Sequence, residues 1–169
     1  MNISNVFKNE RLKKNITVYN IFNLILILLI FFLDRFSKIK IIKSQSNLNN
    51  LFINDYLNFD LVWNTGIGFG LFNLEANIFY HLVSLFIFLV ILILLIFAFR
   101  GNVYEKFLYS MIIGGALGNL YDRITYFAVP DFIDFHIDNY HWFTFNIADI
   151  FITIGVIFLI SKDLILDKK

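Results

Sequence analysis

Four apolar blocks of 18 to 22 residues, at about 16–33, 78–99, 103–121 and 142–160, limit what this chain can fold into more than any other feature. An α-helix rises 1.5 Å per residue, so roughly 20 residues cross the hydrocarbon of a bilayer. Runs this continuous argue against strands, and a membrane barrel would show polar and apolar residues in alternation. Only 16% of the residues are charged and 59% are hydrophobic. A soluble domain carries about 25% charged residues. The expectation is an all-α membrane protein with four transmembrane helices in a single domain spanning 1–169.

The basic residues orient the spans. Lys8, Arg11, Lys13, Lys14, Arg100, Lys106, Lys162, Lys168 and Lys169 flank one side, and Arg35, Lys38, Lys40, Lys43 and Arg123 the other. Under the positive-inside rule this nine-to-five bias places both termini in the cytoplasm and the loops of about 35–77 and 123–141 outside. A basic start before an apolar run also fits a cleavable signal peptide, but the run is long and no small-residue cleavage site follows, which favours a retained first span. The alternation in Tyr56–Trp63 predicts a small outer β-like region. The aromatic and polar mixture of Val129–Phe135 predicts a short interfacial segment at headgroup level. Net charge is +1, so nothing in the balance points to nucleic acid. The absence of cysteine excludes disulfides, thiolate metal sites and a cysteine nucleophile.

Against this apolar background two acids stand out. Asp122 closes the run Gly114–Arg123, and Asp149 lies inside Phe145–Ile150. Ionisable groups at membrane depth are costly and are functional candidates for that reason. If span three runs outward and span four inward, both carboxylates reach the same outer region, Asp149 about two turns below the start of its span. Gly115, Asn119 and Asp122 are spaced i, i+4, i+7 and share one helical face; Asn146 and Asp149, at i, i+3, share another. Gly114 and Gly118 form a small-xxx-small pair that admits a second backbone. Two carboxylates held close share a proton, which is the aspartic-protease arrangement, with Asn119 and Asn146 holding the acids or the substrate and Arg123 offering a cation. Two other readings stand beside it: an interfacial Asp122–Arg123 pair with a structural Asp149, and a proton relay or transporter path.

Other clusters are weaker. Asp134, His136, Asp138 and His141 form a short acid and imidazole cluster that could bind a divalent metal, but they match no strong zinc spacing and are common in solvated loops, and no metal or other cofactor is expected. Ser37 and Lys38 would form a serine–lysine dyad only in poor geometry, since helix neighbours do not face one another. His81 reads as a polar partner between helices.

Around the two acids the chain resembles the lipoprotein signal peptidase (signal peptidase II) family in five ordered blocks: Asp34–Lys38, Asn64–Gly70, Gly114–Arg123, Pro130–Phe135 and Phe145–Asp149. The resemblance implies an aspartic endopeptidase of the bacterial cytoplasmic membrane, with its active site near the outer face. It implies cleavage of diacylglyceryl-modified prolipoproteins just before the lipidated cysteine, by a monomer embedded in membrane lipid. It places Asp122 and Asp149 on the catalytic positions. Asp34, Lys38, Asn64, Gly66, Asn119, Arg123, Asp131 and Asn146 fall on supporting or substrate-binding positions. Ile67-Gly68, Pro130 and Phe143 depart from the family pattern at points that bear on substrate fit and loop geometry.

Overall fold

The computed structural model describes residues 3–45, 51–66, 78–138 and 140–166. Ile67 and Gly68, two of the departures noted above, lie outside these residues, as do Phe69, Gly70, Lys168 and Lys169. Four helices, α1 (Ile3–Gln45), α2 (Ile78–Arg100), α3 (Val103–Tyr126) and α4 (Ile147–Leu166), carry a four-stranded antiparallel sheet of β1 (Leu51–Asn54), β2 (Leu57–Asn64), β3 (Val129–Ile137) and β4 (Tyr140–Phe145), in the order β1-β2-β3-β4.

The sheet is larger than the β-like outer loop expected from the sequence, and the all-α description does not cover it. Tyr140–Phe145, read as the start of span four, is β4, and α4 begins only at Ile147. A Tyr-His-Trp-Phe-Thr-Phe stretch is apolar enough to extend a hydrophobic block, but its aromatic and β-branched residues favour a pleated surface, and β3 supplies the pairing partner. The supposed interfacial segment is β3 itself. Residues 35–45, assigned to the first outer loop, continue α1 without a break.

Helix α3 is the axis of the bundle and packs against α1, α2 and α4. Its glycines permit the approach. A Cβ on Gly114 would sit 2.9 Å from Ile30 Cβ of α1, and one on Gly115 would sit 2.5 Å from the Ala148 carbonyl oxygen of α4. Gly118 leaves room for the Asp34 carboxylate, whose Oδ2 would lie 2.5 Å from an added Cβ. At the far end of α3 a capping box closes the helix start: Asn102 Oδ1 accepts the Glu105 N–H (3.0 Å), and Glu105 Oε2 accepts the Asn102 N–H (2.7 Å). Glu105 also pairs with Lys162 near the end of α4, and Lys106 donates to Asn20 of α1 (3.0 Å). These contacts show that α3 and α4 run antiparallel, with the end of α3 beside the start of α4.

Apolar side chains cover the outside of the bundle. Phe22, Leu28 and Phe32 on α1, Phe86, Ile93 and Phe97 on α2, and Ile157, Phe158 and Ile160 on α4 are exposed. Within α2, Tyr80–Arg100 is long and apolar enough to cross a membrane, and only 6% of its most apolar window is buried. Polar residues occupy the interior instead: Asp34, Lys38, Asp122 and Asn146 are fully inaccessible. The sheet lies over the end of α1 and the start of α4, where Ile41, Phe132 and Ile133 form a buried cluster against Phe145, Ile147 and Ile150.

Candidate active site

Both acids sit at the sheet end of the bundle because of how their helices end and begin. Asp122 lies in the penultimate turn of α3. Asp149 lies in the first turn of α4, nearer the helix start than the two turns expected from the sequence. Asn146 caps α4: its Oδ1 accepts the Asp149 N–H (3.1 Å), and Asp149 Oδ2 accepts the Asn146 N–H (3.2 Å). This reciprocal box fixes the Asp149 carboxylate and satisfies two N–H groups that a helix start leaves open.

From these acids one hydrogen-bonded network reaches all eight supporting positions that the resemblance named. Lys38, fully buried on α1, spends its three donors on Asp34 Oδ2 (2.7 Å), Asn119 Oδ1 (2.9 Å) and Asp122 Oδ2 (2.7 Å). Asn119 Nδ2 then donates to Asp149 Oδ1 (2.8 Å). Asp34 Oδ1 accepts the Ala148 N–H (3.0 Å), tying α1 to the start of α4. On the other side Asn146 Nδ2 donates to Asp131 Oδ1 (2.6 Å) and Asn64 Nδ2 to Asp131 Oδ2 (2.8 Å). Asn64 Oδ1 accepts the Gly66 N–H (2.9 Å), and Arg123 closes the circuit on the carbonyls of Gly66 (3.2 Å) and Asn119 (3.3 Å).

Sequence reasoning missed Arg35. Its Nη1 pairs with Asp122 Oδ1, and its guanidinium lies 4.6 Å from the Tyr121 ring centroid and 5.7 Å from that of Tyr126. The adjacent Asp34-Arg35 in a helix that continues past the apolar block was the available signal. The arrangement also differs from two bare carboxylates sharing a proton. Among the described residues no hydrogen bond joins Asp122 to Asp149; Lys38 and Asn119 stand between them, and Asp122 is ion-paired with two cations. Ser37 takes no part, since its hydroxyl donates to the Asp34 carbonyl of its own helix (2.8 Å).

A cavity of about 250 Å³ opens onto Asp149, with Asn64, Asn119, Arg123 and Asp131 around it and Ile87, Ala116 and Ile152 as its apolar wall. Asp122 does not line it. A second, wholly apolar cavity of about 440 Å³ runs between α2 and α4 and shares Ile87, Ala116 and Ile152 with the first. Burial, and then the neighbouring Asp149 charge, push the Asp131 carboxyl up from 3.8 to about 6, against the hydrogen bonds from Asn64 and Asn146.

The family model for signal peptidase (SPase) II matches residues 26–165, a range that contains the whole network. The chain belongs to the signal peptidase II family. It is 42% identical to the lipoprotein signal peptidase of Pelagibacter ubique over 87% of its own length and 90% of the relative's. It is 39% identical to that of Thermodesulfovibrio yellowstonii over 82% and 91% of the two chains. A bacterial membrane enzyme solved by the in meso method at 2.3 Å resolution shares the fold with a TM-score of 0.71 at 27% identity, over 87% of this chain and 91% of the other.

Proposed function

We propose that this chain is a membrane aspartic endopeptidase that removes the signal peptide from diacylglyceryl-modified prolipoproteins, cutting just before the lipidated cysteine. The observation that carries the reading is the pairing of the two cavities. One presents a carboxylate, two amides and a guanidinium; the other is apolar and joins it at Ile87, Ala116 and Ile152. A lipid-modified cysteine requires that junction: acyl chains between α2 and α4, and the peptide bond preceding the cysteine against Asp149. The names of the relatives and the match along 26–165 support the same substrate class.

In this reading the exposed apolar belt faces lipid, the four helices span the bilayer, both termini are cytoplasmic, and the sheet end lies at the outer face. One carboxylate of the pair takes a proton from water as the oxygen attacks the scissile carbonyl carbon, and the other carboxyl donates its proton to the carbonyl oxygen. Collapse of the tetrahedral species breaks the C–N bond as the nitrogen accepts a proton. Asp149 already faces the cavity. Asp122, held by Arg35 and Lys38, supplies the second carboxylate. Arg123 and Asn64 position the peptide backbone by hydrogen bonding.

The relay alternative requires polar groups through the full depth of the bundle. The network is confined to the sheet end, and the most apolar helix contributes only Ile87 to the catalytic cavity. Incubating the purified protein in lipid with a prolipoprotein, with and without its diacylglyceryl group, tests the proposal. Mass spectrometry should find the lipidated form cut immediately before the cysteine and the unmodified form intact. Equal cutting of both, or cutting elsewhere, would overturn the substrate assignment.

A further inference from the structure

Outside the catalytic network, the hairpin of β3 and β4 brings together three metal-binding side chains. His136 and His141 are cross-strand partners, and Asp134 lies two residues before His136 on β3. Their ligand atoms all fall within 4.8 Å of one another. Asp134 Oδ2 stands 2.8 Å from His141 Nδ1 and 3.4 Å from His136 Nδ1, and the two imidazoles stack 5.1 Å apart at 23°. Donors about 2.0–2.2 Å from one tetrahedral ion are separated by about 3.3–3.5 Å, so this triangle needs little adjustment to enclose one.

Two buried atoms without a hydrogen bond point the same way. His136 is buried, and its Nδ1 makes no hydrogen bond; the buried Asn58 Oδ1 of β2 makes none either. Asn58 Nδ2 lies 3.5 Å from His136 Nε2. Turning the Asn58 amide over presents its oxygen to Nε2, which then carries the proton and leaves the Nδ1 lone pair for a metal. A metal-ligating histidine normally donates its other N–H to such a partner. His141 is largely exposed, which gives an ion a way in and leaves a fourth position for water. The linear spacing matched no zinc pattern because one ligand lies across a hairpin whose register shifts between Phe135 and His136. Asp138, grouped with these residues in the sequence, is not part of the cluster.

We propose that Asp134, His136 and His141 bind one divalent transition-metal ion, with zinc as the ion whose coordination they fit, and that it clamps β4 to β3. Two imidazoles and a carboxylate suit zinc over magnesium or calcium, which take oxygen donors. The site is separate from the aspartate network and does not depend on the peptidase reading.

Zinc chloride titrated by calorimetry into the full chain in detergent, freed of any affinity tag and stripped with EDTA, tests this. The expected result is one ion per chain and a rise in the thermal midpoint on loading. His141→Ala, still folded by its thermal transition, should lose at least tenfold in affinity and the midpoint rise on loading, and Asn58→Ala should lose about tenfold. No zinc binding by folded wild type, or binding unchanged in His141→Ala, would overturn the proposal.

Discussion

Lys38 shows why a single side chain carries so much in an apolar bundle. It makes three contacts from a fully inaccessible position, and two of its partners are carboxylates. Lys38→Met leaves Asp34 and Asp122 with less compensation, and breaking a buried ion pair in this way costs about 3–5 kcal/mol. The expected outcome is a markedly lower unfolding midpoint in detergent together with loss of cleavage; a midpoint equal to wild type would contradict the network. Asp131 gives a pH signature. Its pKa is raised from 3.8 to about 6 on folding, so between those values the folded chain holds more proton than the unfolded chain. Its contribution to stability is therefore greatest below pH 3.8 and declines as pH rises to about 6. In Asp131→Asn that decline should vanish from midpoints measured across the range. At this scale the sequence showed which residues matter but not how they connect. Asp122 and Asp149 were visible as costly acids, and Asn119 and Asn146 through helical spacing. The two cations on Asp122 come from α1, 84 and 87 residues away in sequence, and nothing around Asp122 itself shows that they pair with it.

Among the elements, α3 sets the dimensions of the site. Gly115 faces the Ala148 carbonyl, one residue before Asp149, so the α3–α4 separation there is fixed by a missing side chain. Gly115→Ala should push the helices apart and cost about 1–3 kcal/mol, with a larger loss of cleavage than of stability because Asp149 moves with α4. Wild-type activity in this variant would show that the helix spacing is not critical. By contrast, Asn102→Ala removes the cap at the opposite end of α3. It should cost about 1 kcal/mol of stability while leaving the turnover of the folded fraction unchanged. The helices were legible because apolar blocks of this length have few alternatives. Their ends were not: α1 continues through charged residues whose partners lie partly on α3 and α4, and β4 reads as membrane span until β3 is there to pair with it.

For the molecule as a whole, the usual distribution is reversed, with charge inside and hydrocarbon outside. In the proposed reading, lipid covers the belt on α1, α2 and α4, and the polar network is left at one end where water and an extended peptide can reach it. On the same proposed reading, the apolar cavity beside that end takes the lipid of a substrate within the same bundle. The resemblance anticipated the family, whereas the four-stranded sheet, the cavity pairing and the cationic hold on Asp122 required coordinates. The most direct test compares cleavage of a diacylglyceryl-modified prolipoprotein by wild type, Asp122→Asn and Asp149→Asn, each reconstituted in lipid and shown to be folded by its thermal midpoint. A two-carboxylate mechanism predicts that both substitutions lower the rate by at least about 10²-fold. Cleavage near the wild-type rate by either folded variant would contradict it.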